Sequence, residues 1–465
     1  MIKYIKYTNI NKIMSIKFIT LFIFIFILFS TFSSGKIITT KIMLENQKSS
    51  NHPPICIIGN DEFLPENGVT GGNGTEVDPY IIENWIIVDD DSAPQGIFIK
   101  NTTAYFVIKN CTISGFHHPD EFRHGIQLSE VTHGMVHTTT TIDCATGISI
   151  RDSMENVILN CTFRDYPYDM GYGINIVDSS HVKIISSQCY NLEMGIFIIE
   201  SSNITIQKTS CYNNSVWGLV ADVLYQDVLH YFIEDCIFND NGADGVYLSG
   251  SYKSTSCSII RNCSISHNNI GIKLERLFDN IIENCVFNQN VIGLYLDRSS
   301  RNSIRNCSFR FHIDEGVLIA GMLFLQISIP RDNEIAYCDF IDNYDGIFLL
   351  ETRRNTIHHC TIANNTYTGV TSLYSISKIV SNNFINNGND SYYIDSAGMY
   401  SWSSFLDGRN NWWGSSQGPC VSLLFGQTIL SLRAVENSDI IMLRKGIARF
   451  RPWLSEPVPD AGRQI

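Results

Sequence analysis

From Gly96 to Gly369 the chain repeats a four-residue phrase twelve times: a glycine, an apolar residue, any residue, an apolar residue. It reads GIFI at Gly96, GINI at Gly173, GVYL at Gly245, GIKL at Gly271, GLYL at Gly293 and GIFL at Gly346. The spacings run from 22 to 30 residues and are most often 22 or 23. Alternation of apolar and unrestricted positions marks a half-buried strand, whose side chains point in turn to its two faces. One such strand every 22 residues or so predicts a solenoid of stacked coils. The glycine is expected to let the backbone bend into the strand.

A second phrase recurs within the coils. It reads NCTI at Asn110, NCTF at Asn160, DCIF at Asp235, NCSI at Asn262, NCVF at Asn284, NCSF at Asn306, YCDF at Tyr337 and HCTI at His359. The Cys and the residue two places on share a face. Stacking therefore predicts a ladder of small side chains from Cys111 through Thr140, Cys161, Ser187 and Thr209 to Cys360 and Asn382, and a ladder of large ones from Ile113 through Ile142, Phe163 and Cys189 to Phe384. Ser, Thr or Asn replaces Cys at this repeat position, so the ladder thiols are expected to be buried packing groups. Cys56, Cys144, Cys257 and Cys420 lie off the ladders and are the better candidates for a disulfide. Asn268-Asn269, Asn364-Asn365 and Asn386-Asn387 are expected to turn corners, because Asn tolerates left-handed backbone. The chain is thus read as all-β, a single-stranded parallel β-helix (solenoid) of about 12–14 coils with capped ends.

Ahead of the repeats, Lys3, Lys6, Lys12 and Lys17 precede an apolar run over residues 18–29, followed by Ser33, Ser34 and Gly35. This is the order of a secretory signal. With its flanks counted, the run approaches the roughly 20 residues of a membrane span, the length of a signal-anchor. The resulting division is 1–35 signal or anchor, 36–53 linker, 54–95 N-terminal cap and first coil, 96–391 repeats, and 392–465 last coil and C-terminal cap. It places the body outside the cytoplasm: secreted, cell-surface or periplasmic, with membrane contact only through the N-terminal segment. A net charge of −13 without a basic stripe argues against a nucleic-acid partner. The chain is expected to be a monomer.

The coils resemble the right-handed β-helix repeat of the NosD-like family. So do GNDEF from Gly59, GGNGTEVDPYIIENW from Gly71 to Trp85, NNWWGSSQGP over 410–419 and RFRPWLSEPVPDAG over 449–462. The family takes in periplasmic copper-binding accessory proteins, within a wider group of carbohydrate-binding and sugar-hydrolysing β-helices. The resemblance implies a right-handed solenoid whose ends are covered, with Trp412, Trp413 and Trp453 as plugs. It also implies a choice among functions: a non-catalytic face for carbohydrate or an envelope component, a polysaccharide-active lyase, hydrolase or epimerase, or a copper-handling accessory protein.

The chemistry is sparse. The Asn-x-Asp, Asp-Asp, Gly-His-Gly and Arg-x-Lys set of polygalacturonase-like helices has no counterpart here: Gly-His-Gly and Arg-x-Lys are missing, and the Asp89–Asp91 run precedes the first full coil. On the outward positions of the glycine strands, Tyr247, Lys273, Glu275, Tyr295 and Asp297 come from three successive coils and are expected to form one patch. Glu275, Asp297 and Lys273 are its candidate catalytic groups. Tyr247 and Tyr295 are its candidate ligand-binding residues, as flat faces for a sugar. His117, His118, Asp120 and His124, in a loop between coils, are the candidate metal ligands. No cofactor is identified, and neither Ca nor Cu is supported by a specific motif.

Overall fold

The computed structural model describes residues 49–117, 123–165, 171–223, 228–251, 255–321, 329–388, 396–425, 428–433, 438–445 and 447–464. The signal or anchor segment, His118 and Asp120 lie outside them. Among the described residues no helix is long and apolar enough to cross a membrane.

Three parallel sheets run the length of a β-solenoid. Each coil gives one strand to each sheet, as in Ile259–Arg261, Ser264–Ser266 and Ile270–Glu275. The strands that carry the glycine phrase form the first sheet, here called the Gly sheet. The strands before and after the Cys corner form the second and third sheets. Coils stack in register, so that Tyr247 pairs with Lys273 and Lys273 with Tyr295 on the Gly sheet. On the third sheet Phe238, Ile265, Phe287, Phe309 and Phe340 align. The phenylalanines of this column stack, Phe287 on Phe309 at 4.5 Å and Phe309 on Phe340 at 4.9 Å.

The corners are turned by single left-handed residues. Asn262, Asn284 and Asn306, each just before a ladder Cys, have φ of 55°, 58° and 54°. The thiol that follows points inward and donates to the carbonyl two residues back, as Cys285 Sγ does to Glu283 O at 3.3 Å. The Asn pairs divide this labour. Asn364 and Asn386 are left-handed, but at 268–269 the left-handed residue is His267. The next residue in each case, Asn268, Asn365 or Asn387, is buried. It joins a ladder that the sequence reading did not foresee. The Asn268 N–H donates to Asn290 Oδ1 at 2.9 Å and its Nδ2 to the same oxygen at 3.1 Å. Asn280, Asn302, Asn333 and Asn355 form a second such ladder. These amides satisfy buried backbone donors at the corners, each bond contributing about 1 kcal/mol net and costing more if left unmade.

Three expectations need correction. The second coil is out by one: Thr139 and Thr141 fill the small and large positions, as the pairing of Ile113 with Thr141 and of Thr141 with Phe163 shows. The glycines serve close approach between coils. A Cβ on Gly245 would lie 2.7 Å from the Gly271 carbonyl oxygen, so no other residue fits without moving the stack. All fourteen cysteines are free thiols, Cys56, Cys144, Cys257 and Cys420 included. Burial pushes Cys111 up to about 11 and Cys144 and Cys161 up to about 12, which keeps them protonated.

The first Asn ladder ends on a carboxylate. Asn387 donates its N–H to Asp439 Oδ1 at 3.0 Å and its Nδ2 to Oδ2 at 2.8 Å. Burial pushes Asp439 up to about 7, against the opposing pull of those bonds. The folded state therefore holds a proton that the unfolded chain releases near pH 4. Stability should fall as pH rises from about 4 to about 7 and stay low above it, by at most about 4 kcal/mol. Asp439→Asn, which repeats the amide of the other rungs, should raise the urea midpoint at pH 8 and flatten its dependence between pH 4 and 7. An unchanged pH slope in that variant would contradict the assignment.

Candidate functional site

The Gly sheet brings Tyr247, Lys273, Glu275, Tyr295 and Asp297 together as three rungs of one face. Each side chain alternates with inward leucines, isoleucines or valines that are fully buried, such as Val246, Ile272 and Leu294. The centre of the patch is Glu275. Its Oε2 accepts from the Tyr247 hydroxyl at 2.7 Å and lies 3.3 Å from Lys273 Nζ. Its Oε1 lies 2.6 Å from Arg298 Nη2 and 3.2 Å from Arg276 Nη2. Arg298 also forks onto Asp297 at 2.9 and 3.0 Å.

Burial alone would push Glu275 up, but the Tyr247 hydroxyl and then Lys273, Arg276 and Arg298 outweigh it and hold the carboxyl below its usual range. Burial pushes both tyrosines above the ordinary phenol value, with Glu275 adding to the effect at Tyr247 and Asp297 at Tyr295. Asp244, on the same strand as Tyr247, is pushed up to about 6 by burial, with Lys273 and Trp217 opposing.

The tyrosine faces do not point to solvent. Stacked coils turn rings to face along the solenoid axis, and Lys273 Nζ sits between them, 4.7 Å from the Tyr247 ring centre and 5.8 Å from that of Tyr295. Each ring gives its inner face to an ammonium group. A ligand on this surface would meet ring edges, hydroxyls and the guanidinium groups.

Of the metal candidates, His117 Nδ1 lies 3.3 Å from Asp143 Oδ2. His124 opens a Gly-sheet strand, and burial, then Arg151, pushes it down to about 4, so that it is neutral at physiological pH. Among the described residues no group of three or more His, Cys, Asp or Glu side chains is arranged to hold a metal.

Reading only the Gly sheet for outward residues missed a groove on the second sheet. It has a volume of about 290 Å³ and is lined by His181, Lys183, Asn203, Thr205, His230 and Phe232 among others. Applying the same alternation to the strands before each Cys would have found Lys183, Thr205 and Phe232 in one column.

A search of curated proteins finds no match. Among solved structures, a double mutant of the periplasmic alginate epimerase AlgG is 13% identical, with a TM-score of 0.43 over 80% of this chain and 85% of that one. The A-module of the Azotobacter vinelandii mannuronan C-5 epimerase AlgE6 is 11% identical, with a TM-score of 0.37 over 86% and 91%. The catalytic unit of an alpha-1,3-glucanase from Streptomyces thermodiastaticus strain HF3-3 is 10% identical, with a TM-score of 0.40 over 78% and 65%. The family model described as right-handed beta helix region matches residues 95–226. The model described as periplasmic copper-binding protein (NosD) matches residues 164–317 and 324–417, which is more than half of the sequence. The chain belongs to the NosD family of right-handed parallel β-helix proteins.

Proposed function

We propose that this solenoid is an extracytoplasmic, non-catalytic binding scaffold that presents its Gly-sheet patch to carbohydrate or another envelope component. The observation that supports the non-catalytic part is the engagement of Glu275. A general acid needs a raised pKa and a general base a free lone pair; Glu275 has a lowered pKa and is engaged by Tyr247, Lys273, Arg276 and Arg298. The patch holds a fixed array of donors at modest exposure, which suits recognition of hydroxyl-rich ligands.

The family description brings copper with it. Among the described residues, which leave out His118 and Asp120, no group of three or more His, Cys, Asp or Glu is arranged to hold it, and we propose no site for it.

The test pairs a glycan array with assays for lyase and hydrolase products on acidic polysaccharides. The expected result is binding without turnover, and a loss of about tenfold or more in affinity when Tyr247→Ala and Tyr295→Ala are combined, the size expected for losing two hydroxyl contacts of about 1 kcal/mol each. Turnover that disappears in Glu275→Gln or Asp297→Asn with binding retained would establish the enzymatic alternative in its place.

A further inference from the structure

The groove on the second sheet has a different construction from the Gly-sheet patch. Lys183, Thr205, Phe232 and Ile259 are register partners on four successive coils. His181, Asn203, His230 and Cys257 occupy the positions two residues earlier on the same coils. The groove exists because Asn203 and Thr205 are short and stand between longer neighbours. His181 and Lys183 rise on one side and His230 and Phe232 on the other, two coil spacings apart, about 9.6 Å. That leaves a slot one coil wide, the thickness of a single sugar ring.

Its walls are unlike. On the side of the next coil, Phe232 is covered by the Arg261 guanidinium, 4.9 Å from the ring centre. Arg261 is fixed there by Glu234 at 2.6 Å, and Glu234 also accepts from Gln207 at 2.7 Å. The opposite face of the ring looks across the slot, in contrast to the tyrosines that clasp Lys273. The opposing wall is cationic. On this sheet Lys109 is matched with Glu83, Arg261 with Glu234 and Arg305 with Glu334, whereas Arg353, Lys378 and Arg449, all outside the groove, have no salt bridge among the described residues. Lys183 has no ion pair among the described residues, and the groove lining contains one lysine and two histidines but no carboxylate. In a chain of net charge −13, a carboxylate-free slot with a free ammonium group is a local inversion of sign.

We propose that this slot seats one acidic pyranose unit of an extended glycan. The apolar face of the sugar stacks on Phe232, Asn203 and Thr205 bond its hydroxyls, and the Lys183 ammonium takes its carboxylate or sulfate. The proposal rests on the reading of the chain as a saccharide binder, but not on the Gly-sheet patch.

Titration calorimetry on the full chain tests it, with three hexasaccharides as probes: an oligogalacturonate, a chondroitin sulfate fragment and neutral cellohexaose. The two acidic probes distinguish a uronate from a sulfate as the anchoring group. At least one should bind about tenfold or more tightly than cellohexaose, since a charge-assisted hydrogen bond has that value. Phe232→Ala and Lys183→Gln should each weaken it by about tenfold, while Lys378→Gln, at an exposed lysine of the same sheet outside the groove, leaves it within about twofold. Lys183 is exposed, so its substitution tests the slot even if Phe232→Ala disturbs folding; the melting temperature checks both. Equal binding of the neutral probe, or full affinity in Lys183→Gln, overturns the proposal. Loss confined to the Tyr247→Ala, Tyr295→Ala pair removes the slot and leaves the saccharide reading standing. Binding of none of the probes removes both.

Discussion

Deletion of residues 410–465 is expected to make the protein aggregate. The segment closes the open end of the solenoid by continuing each internal column. Trp413, fully buried, stacks on Phe384 at 4.5 Å and ends the large ladder. Asn411 accepts from the Asn382 N–H at 2.8 Å and ends the small one. Asp439 ends an Asn ladder, and the strands Ile440–Arg444 and Ile447–Arg449 cover the edges of the Gly and second sheets. Without them Phe384, Met399 and Leu406 face water and two parallel edges stand unpaired, the template for association between chains. Size-exclusion chromatography with light scattering should show oligomers or precipitate. Trp413→Ala, which removes only the plug, should cost about 3–5 kcal/mol. A monomeric truncation with unchanged melting would contradict this account of the cap.

The second large effect is expected in the thiol column. Cys285 is fully buried, between Cys263 below and Cys307 above. A phenylalanine there has no room to expand along the axis, because the coils are fixed about 4.8 Å apart by their ladders. Cys285→Phe should cost more than the usual ~1–3 kcal/mol of overpacking and threaten folding. Cys285→Ser should stay within about 1 kcal/mol, since the site offers a hydroxyl its partners. Ser187 shows how: in the same column its Oγ accepts from the Cys161 N–H at 3.2 Å and donates to Ile185 O at 3.0 Å. Urea midpoints of the two variants measure the difference. Thiol counting on denatured, unreduced protein checks the chemical state, and oxidation of most ladder thiols would contradict it.

The fold was legible because two phrases recur in step, and a side-chain period of two leaves no doubt which residues of GIKL or NCVF face inward. Legibility failed where the phrase did. In the second coil four threonines run from Thr138 to Thr141, and nothing in the residue types says which pair is inside; the stacking partners Ile113 and Phe163 decide it. The Asn ladders were half-read. Left-handed propensity explains Asn364 and Asn386, but the buried role of Asn365 and Asn387 depends on a backbone donor one coil away, which only the stack supplies. Alternation was enough to put Tyr247, Lys273, Glu275, Tyr295 and Asp297 on one face, yet ring orientation was not accessible from sequence, because it follows from Lys273 entering between Tyr247 and Tyr295. The second-sheet groove arises from short side chains at Asn203 and Thr205, a gap visible only against the longer residues on neighbouring coils.

The central claim is that this solenoid binds saccharide without transforming it. The most direct measurement incubates the intact protein with an acidic hexasaccharide, follows binding by calorimetry, and analyses the recovered sugar by mass spectrometry and NMR. The account predicts saturable binding and recovery of the hexasaccharide unchanged in length, unsaturation and C-5 configuration. Shortened, unsaturated or epimerised product, formed in proportion to protein and time, would contradict it.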